Sequence, residues 1–253
     1  MAEAYELWKA MSVAGEDITF WQNIYVKFYQ AFIEADRWKQ YLEGMATTLY
    51  VTVIAILIGI VLCVIVASIR TAHDQQRRKK NIVLGFFNAI CKIYVTVIRG
   101  TPMMVQLMIL GFVVFKSSRN FTMVGALGLG LNSGAYVAEI IRGGLMSLDQ
   151  GQSEAGRSLG LGYMDTMRFI VVPQAFKAVL PALGNEFIIL LKDTSLLTII
   201  GGKELVHAAQ GIMNRTWEQM FPLLGISFLY LVMVLILSWL QGKLERRLRQ
   251  SER

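Results

Sequence analysis

Apolar residues fall in long blocks along this chain, separated by short polar or basic segments. Residues 47–69 form a run with no charge inside it. About twenty such residues cross a bilayer as a helix, so this run is the first predicted span. Residues 82–115 are apolar again but too long for one simple crossing. They carry Lys92 and Arg99, and Gly100-Thr101-Pro102 interrupts them. Thr suits an N-cap and Pro the first helical position. A helix is therefore expected to start or kink at Pro102, with residues 82–98 lying partly along the cytoplasmic face and the second span crossing outward to Phe115. A third span, residues 122–145, returns inward. Its Gly125, Gly128, Gly130 and Gly134 would let neighbouring helices approach closely. A fourth runs outward over residues 183–200, residues 203–219 are external, and the uniformly apolar residues 221–240 form the fifth. Pro102, Pro173, Pro181 and Pro222 should each mark a helix start or kink, because proline removes a helical hydrogen bond.

Charge sets the direction. Arg70 opens a short loop that continues through Arg77, Arg78, Lys79 and Lys80, and short basic loops stay in the cytoplasm. The first span then ends inside and the N-terminus starts outside. The tail, with Lys243, Arg246, Arg247 and Arg249, belongs in the cytoplasm. The expected fold is an all-α membrane protein with five transmembrane helices. Residues 1–45 form an extracytoplasmic segment and residues 46–253 the transmembrane domain, with a cytoplasmic loop near residues 149–181. The N-terminal segment carries Glu3, Glu6, Glu16 and Asp17 and lacks the basic start and apolar core of a signal peptide. Within it Trp21, Ile24, Tyr25, Phe28, Phe32 and Ile33 recur at helical spacing. That helix either lies in the outer membrane interface or packs on the protein.

Composition narrows the function. Of the residues, 55% are hydrophobic and 17% charged, against about a quarter charged in a soluble domain. The formal net charge of +7 gathers at span ends rather than on one face, which argues against nucleic acid as a partner. Cys63 and Cys91 both lie in apolar stretches and give no disulfide framework. His73 and His207 stand apart, so no metal site is expected. No Gly-rich phosphate loop ending in Lys-Ser/Thr occurs, so the chain is not expected to hydrolyse ATP or to be an enzyme.

The segment from Glu154 to Pro173 looks like helix, turn, helix. Gly160 can take the left-handed conformation that closes a helix, and Gly162 can cap a second one from Tyr163 to about Val171. Leu159, Leu161, Met164, Met167 and Phe169 give apolar faces. The segment resembles the signature loop of permeases from binding-protein-dependent ABC importers. That pattern is Glu-Ala-Ala, three residues, Gly, nine residues, Ile, one residue, Leu-Pro, met here by Glu154, Ala155, Gly160, Ile170 and Pro173. Gly156 replaces the second Ala and Val172 the Leu. Gly156 should weaken the first helix by up to about 1 kcal/mol relative to Ala. A narrower resemblance, from Leu42 onward, is to the polar amino-acid branch. It rests on Arg99-Gly-Thr-Pro102 with Gln106-Leu107, Ala135-Tyr-Val-Ala-Glu139 with Arg142-Gly143-Gly144, Pro173-Gln174-Ala175, and Leu191-Lys192-Asp193-Thr194-Ser195-Leu196.

The resemblance implies a permease subunit in the bacterial plasma membrane that translocates a polar amino acid. It implies two permease chains (copies or different chains), two ATPase chains that bind ATP and Mg, and an external amino-acid-binding protein. The loop would dock in a cleft of the ATPase subunit through Glu154, Ala155, Gly160, Leu161 and Gly162. Lys192 and Asp193, expected halfway along the fourth span, are costly there. They point in different directions on one helix, so each should find a partner on another span. Gln106, Asn132, Ser133, Thr194 and Ser195 lie at similar depth, and the set either lines the substrate path or pairs helices. Arg99, Glu139 and Arg142 are expected near the cytoplasmic ends, as an anchoring salt bridge or as a gate. A membrane scaffold or channel that recruits a cytoplasmic partner through the loop is the alternative.

Overall fold

The computed structural model describes every residue except Met1, Gln75, residues 77–80 and residues 251–253. Most of the basic loop expected to hold the first span's end inside therefore lies outside the described residues.

Two short helices open the chain. α1 (Ala2–Val13) and α2 (Phe20–Phe32) form a hairpin. Tyr5 stacks on Tyr29 with ring centroids 4.2 Å apart, and Trp8 meets Tyr25 edge-on at 5.4 Å. Thr19 caps α2 and Gln22 reaches back, a reciprocal capping box. α2 packs on the protein: Phe28 reaches Phe221 at 5.9 Å, Phe32 fills the notch left by Gly225, and Lys27 pairs with Glu218 at 3.2 Å. Phe20 and Trp21 remain exposed, as aromatic residues at a membrane interface do.

α3 (Arg37–Asp74) starts before the apolar run, because Tyr41, Gly44 and Thr48 bury its first turns. α4 (Ile82–Gly100) is capped by Asn81, whose side chain accepts from Val83 and Leu84 backbone N–H groups at 2.9 and 3.3 Å. At 19 residues it is itself long and apolar enough to cross a membrane, whereas Met103–Val114 is a shorter apolar helix. The second long helix thus precedes the Thr101-Pro102 break rather than following it. The break lies where expected, for a different reason. Proline forces the residue before it into extended backbone. Thr101 sits at φ −122°, ψ 148°, and Pro102 becomes the cap rather than the first helical residue. The Thr101 hydroxyl donates back to the Val97 carbonyl at 2.8 Å. α5 (Met103–Ile109) continues into a π-helical turn, Leu110–Val114.

α6 (Phe121–Ser147) is the central helix: 61% of its apolar window is buried, against 33% or less for the other long helices. Its most extensive packing is with α3. Its four glycines let neighbouring helices approach, Gly130 and Gly134 on the α3 side. Gly125 faces Leu197, Gly128 faces Leu107 and Leu110, Gly130 faces Ile58, and Gly134 faces Leu62 and Tyr94. A Cβ at any of them would come within 2.9 Å of a neighbouring side chain.

Next come α7 (Gln150–Ser158), α8 (Tyr163–Thr166), a π-helical turn over Met167–Val171, and α9 (Val172–Asp193), which leads into a 3-10 helix, Thr194–Ile200. Tyr163–Ile200 forms one long apolar helical stretch, so no helix starts at residue 183. Pro173 sits in the first turn of α9, directly after the π turn, where its missing N–H is tolerated. Pro181 lies inside α9 and ends no helix. α10 (Leu205–Thr216) is short, and α11 (Met220–Gln250) is the fifth long helix. Cys63 and Cys91 are buried free thiols beside Val66, Val95 and Ala135.

Candidate functional site

The α7–α8 turn is built by local rules. Asp149 caps α7 by accepting from the Gly151 N–H at 2.9 Å. Gly160 is left-handed at φ 81°, and its N–H donates to Arg157 O. Gly162 caps α8 in extended backbone. The two helices touch through Gly156. An added Cβ there would lie 2.8 Å from Thr166 Cγ2 and 3.0 Å from Ile170 Cδ1. The glycine expected to loosen this helix is the contact that lets its partner pack against it. The pair is pinned to α9 by Gln174 Nε2, which donates to Gln152 Oε1 at 3.1 Å.

Of the residues expected to meet another subunit, Glu154, Ala155, Gly160 and Gly162 are exposed and Leu161 is half-buried. Beside them Leu159 is 80% exposed, Met164 75% and Phe169 65%. Three large apolar side chains are thus exposed along one polar-flanked helix–turn–helix, with the Arg168 guanidinium 5.5 Å from the Phe169 ring.

The structure brings Arg99, Glu139 and Arg142 together and adds two residues that the sequence did not single out. Glu139 pairs with Arg70 of α3, accepts from Arg142 Nε at 3.0 Å and Nη2 at 3.2 Å, and lies 3.6 Å from Arg99 Nη1. Arg142 Nη1 also reaches Asp74 Oδ2 at 3.3 Å. Arg99 stacks over Tyr136 at 5.1 Å. This cluster ties the ends of α3, α4 and α6. In the sequence Arg70 stands only at the start of a basic loop, 69 residues from the Glu139 it pairs with.

The membrane set divides. Gln106 Nε2 donates to Ile98 O at 2.7 Å and to Thr101 Oγ1 at 2.8 Å, so it secures the α4–α5 break, while its Oε1 accepts from Asn132 at 3.2 Å. Ser133 is buried against Gly59 of α3. Thr194 is buried, donates to Leu191 O at 2.7 Å and lies 3.5 Å from the Tyr230 hydroxyl. Ser195 is half-buried. Lys192 is exposed and Asp193 half-buried, at the point where α9 tightens into the 3-10 helix. Among the described residues neither forms an ion pair with another span, so the expected partners are not found among them.

Glu204 and Glu186, two of the three buried acids among the described residues, stand outside any pattern legible in the sequence. Glu204 is 1% exposed and caps α10, accepting from Val206 N at 2.8 Å, His207 N at 2.9 Å and the Tyr230 hydroxyl at 3.0 Å. Burial pushes its carboxyl above the usual range, against the pull of those donors. Glu186, within α9, is 8% exposed. Neither stands in a motif, and burial is a property of packing.

Comparison with known proteins agrees with this architecture. Residues 83–250 match the family described as binding-protein-dependent transport system inner membrane component. The arginine transport system permease protein ArtQ of Bacillus subtilis (strain 168) is 35% identical over 216 residues, covering 83% of this chain and 93% of that protein. The glutamine transport system permease protein GlnP of Escherichia coli (strain K12) is 34% identical over 212 residues, covering 82% and 92%. Among solved structures, that of an amino acid ABC transporter with histidines is 36% identical, with a TM-score of 0.73, covering 83% of this chain and 94% of that one. An inward-facing MetNI methionine ABC transporter has a TM-score of 0.70 at 16% identity and 83% coverage of this chain, a likeness of fold.

Proposed function

We propose, from the premise that the chain belongs to the binding-protein-dependent transport system inner membrane component family, that it is the permease of an ATP-driven importer for a polar amino acid. The arginine and glutamine permeases among its relatives support that cargo. Its site would be the bacterial inner membrane, with the N-terminus outside and the C-terminus in the cytoplasm. Two permease chains, two ATPase subunits and an external binding protein would complete the machine, and the ATPase subunits would hold ATP and Mg.

The observation that carries the proposal is the uncovered apolar turn of α7 and α8. A rigid helix pair with Leu159, Met164 and Phe169 facing outward suits docking in the ATPase cleft. Through Gln174 and the unbroken run into α9, movement of that pair would be passed to the membrane helices. A pure scaffold or channel is less favoured, because neither needs a docking element continuous with a span.

The test is reconstitution of the chain with its ATPase and binding-protein partners in vesicles. ATP-dependent uptake of arginine or glutamine is the expected result; flux without ATP would leave the channel standing, and recruitment without flux the scaffold. Asp193→Asn should lower uptake about tenfold or more, the worth of one charge-assisted contact, while the complex still assembles. An assembled, fully active variant would remove Asp193 from the substrate path.

A further inference from the structure

We propose that the groove between α2, α3 and α11 holds one acyl chain of a membrane phospholipid, which ties the N-terminal hairpin to the membrane helices. The groove has a volume of about 490 Å³, within the range of roughly 300–1,000 Å³ for small-molecule sites. Phe28 and Phe32 of α2 form one wall, Trp38 and Leu42 of α3 a second, and residues from Phe221 to Leu229 of α11 the third. Gly225 lets Phe32 settle against α11, since a Cβ there would lie 2.6 Å from its ring. Other exposed apolar residues of α3 and α11, such as Val61 and Leu235, line no such groove. A ridge meets lipids that exchange freely, whereas a concavity closed on three sides can hold one.

The lining selects the occupant. Of its side chains only Trp38 and Tyr41 carry a polar atom, and the Tyr41 hydroxyl already donates to Ala31 O at 3.3 Å. A protein partner would bring about one hydrogen bond per 100–200 Å² of interface, and this lining has almost nothing to receive them. A hydrocarbon chain needs none, and its burial is favourable in proportion to the apolar area covered.

The place fits the same occupant. α3 and α11 are both long and apolar enough to cross a membrane, and the groove lies at the N-terminal end of each. Trp38 and Tyr41, with the exposed Phe20 and Trp21 nearby in the chain, are residue types that favour the membrane–water boundary. From Phe221 to Leu229 the groove follows α11 for about 12 Å. That is most of the roughly 15 Å of hydrocarbon in one leaflet, so an acyl chain fits it lengthwise. The rim carries both signs of charge. Lys39 Nζ lies 5.5 Å from the Trp38 ring and pairs with the exposed Asp36 at 2.6 Å. The Lys27–Glu218 pair, at 3.2 Å, adjoins Phe28. Such a rim complements a headgroup that itself carries both charges, which favours phosphatidylethanolamine over the anionic phosphatidylglycerol.

The experiment titrates the full-length chain, purified in detergent, with phosphatidylethanolamine and counts the lipids retained by native mass spectrometry. Leu42→Trp and Leu224→Trp each place a large ring in the groove, at positions exposed enough to accept it. Leu235→Trp, at an exposed α11 position outside the groove, is the control. Wild type and control should keep one phosphatidylethanolamine per chain under conditions where the groove variants keep several-fold less. The lipid should raise the thermal midpoint of wild type and control, because it binds the folded state, and leave the groove variants level. Equal retention by all four proteins, as ordinary bilayer contact would give, would overturn the proposal. So would a wild-type midpoint that does not respond to phosphatidylethanolamine, a result that needs no variant. Self-association of wild type that the groove variants abolish would place a second copy of this chain in the groove instead. Equal retention of phosphatidylglycerol would overturn the choice of headgroup. Uptake is not the readout, so each of these failures leaves the permease reading standing.

Discussion

Glu204 illustrates how one buried side chain can settle several backbone groups. It closes the N-terminus of α10, where two N–H groups and the positive end of the helix dipole face it, and it takes the Tyr230 hydroxyl from α11. Gln in its place must aim an NH2 at one of those N–H groups. Glu204→Gln should therefore cost about 1–3 kcal/mol, seen as a lower thermal midpoint. The same residue gives a pH signature. Its folded-state pKa is raised by burial, so the fold favours the neutral acid. The stability it contributes is full below the ordinary carboxylate value near about 4.3 and is lost as pH rises through the raised value. The wild-type midpoint should drop across that window relative to Glu204→Gln; parallel pH profiles would refute the assignment.

At the scale of elements, the α7–α8 pair depends on a glycine that helix propensity alone would replace. Ala at position 156 would gain up to about 1 kcal/mol of helix stability. Its methyl would also meet Thr166, a β-branched side chain whose hydroxyl is bonded to Gly162 O at 3.0 Å and whose χ1 is stiff. Gly156→Ala should therefore splay the pair and reduce co-purification of the ATPase subunit several-fold. Adding Thr166→Ala, which vacates the space, should restore it. Unchanged capture by the single variant would mean that the pair tolerates the shift. The spacing of Gly160 and Gly162 made the turn legible in the sequence. The need for Gly156 was not, because Thr166 meets it only across the folded turn.

At the scale of the whole molecule, α3, α4 and α6 converge on Glu139. Without that carboxylate, Arg70, Arg99 and Arg142 would face one another with Asp74 as the one remaining acid paired among the described residues. The groups are partly exposed, so solvent screens part of the repulsion. Glu139→Gln should cost about 1–3 kcal/mol, below the penalty for breaking a fully buried pair, and should lower both thermal midpoint and uptake. Charge restored by Glu139→Asp should recover much of each. An unaltered midpoint would reduce the cluster to surface decoration. The count of long apolar helices was legible at this scale because each crossing needs a block of apolar residues. The second block's longer helix lies before its proline break, a choice that composition alone does not make.

Hydrophobic blocks and the glycine spacing of residues 154–173 determined the membrane class, the five-helix count and the α7–α8 turn, since each is a property of local sequence. Tertiary structure alone decided which polar groups are paired. Gln106 bonds to backbone at the α4–α5 break, Glu139 gathers arginines from three helices, and Glu204 takes the Tyr230 hydroxyl from α11. Pairing needs residues far apart in the chain to meet, and that distance is fixed only when the helices pack.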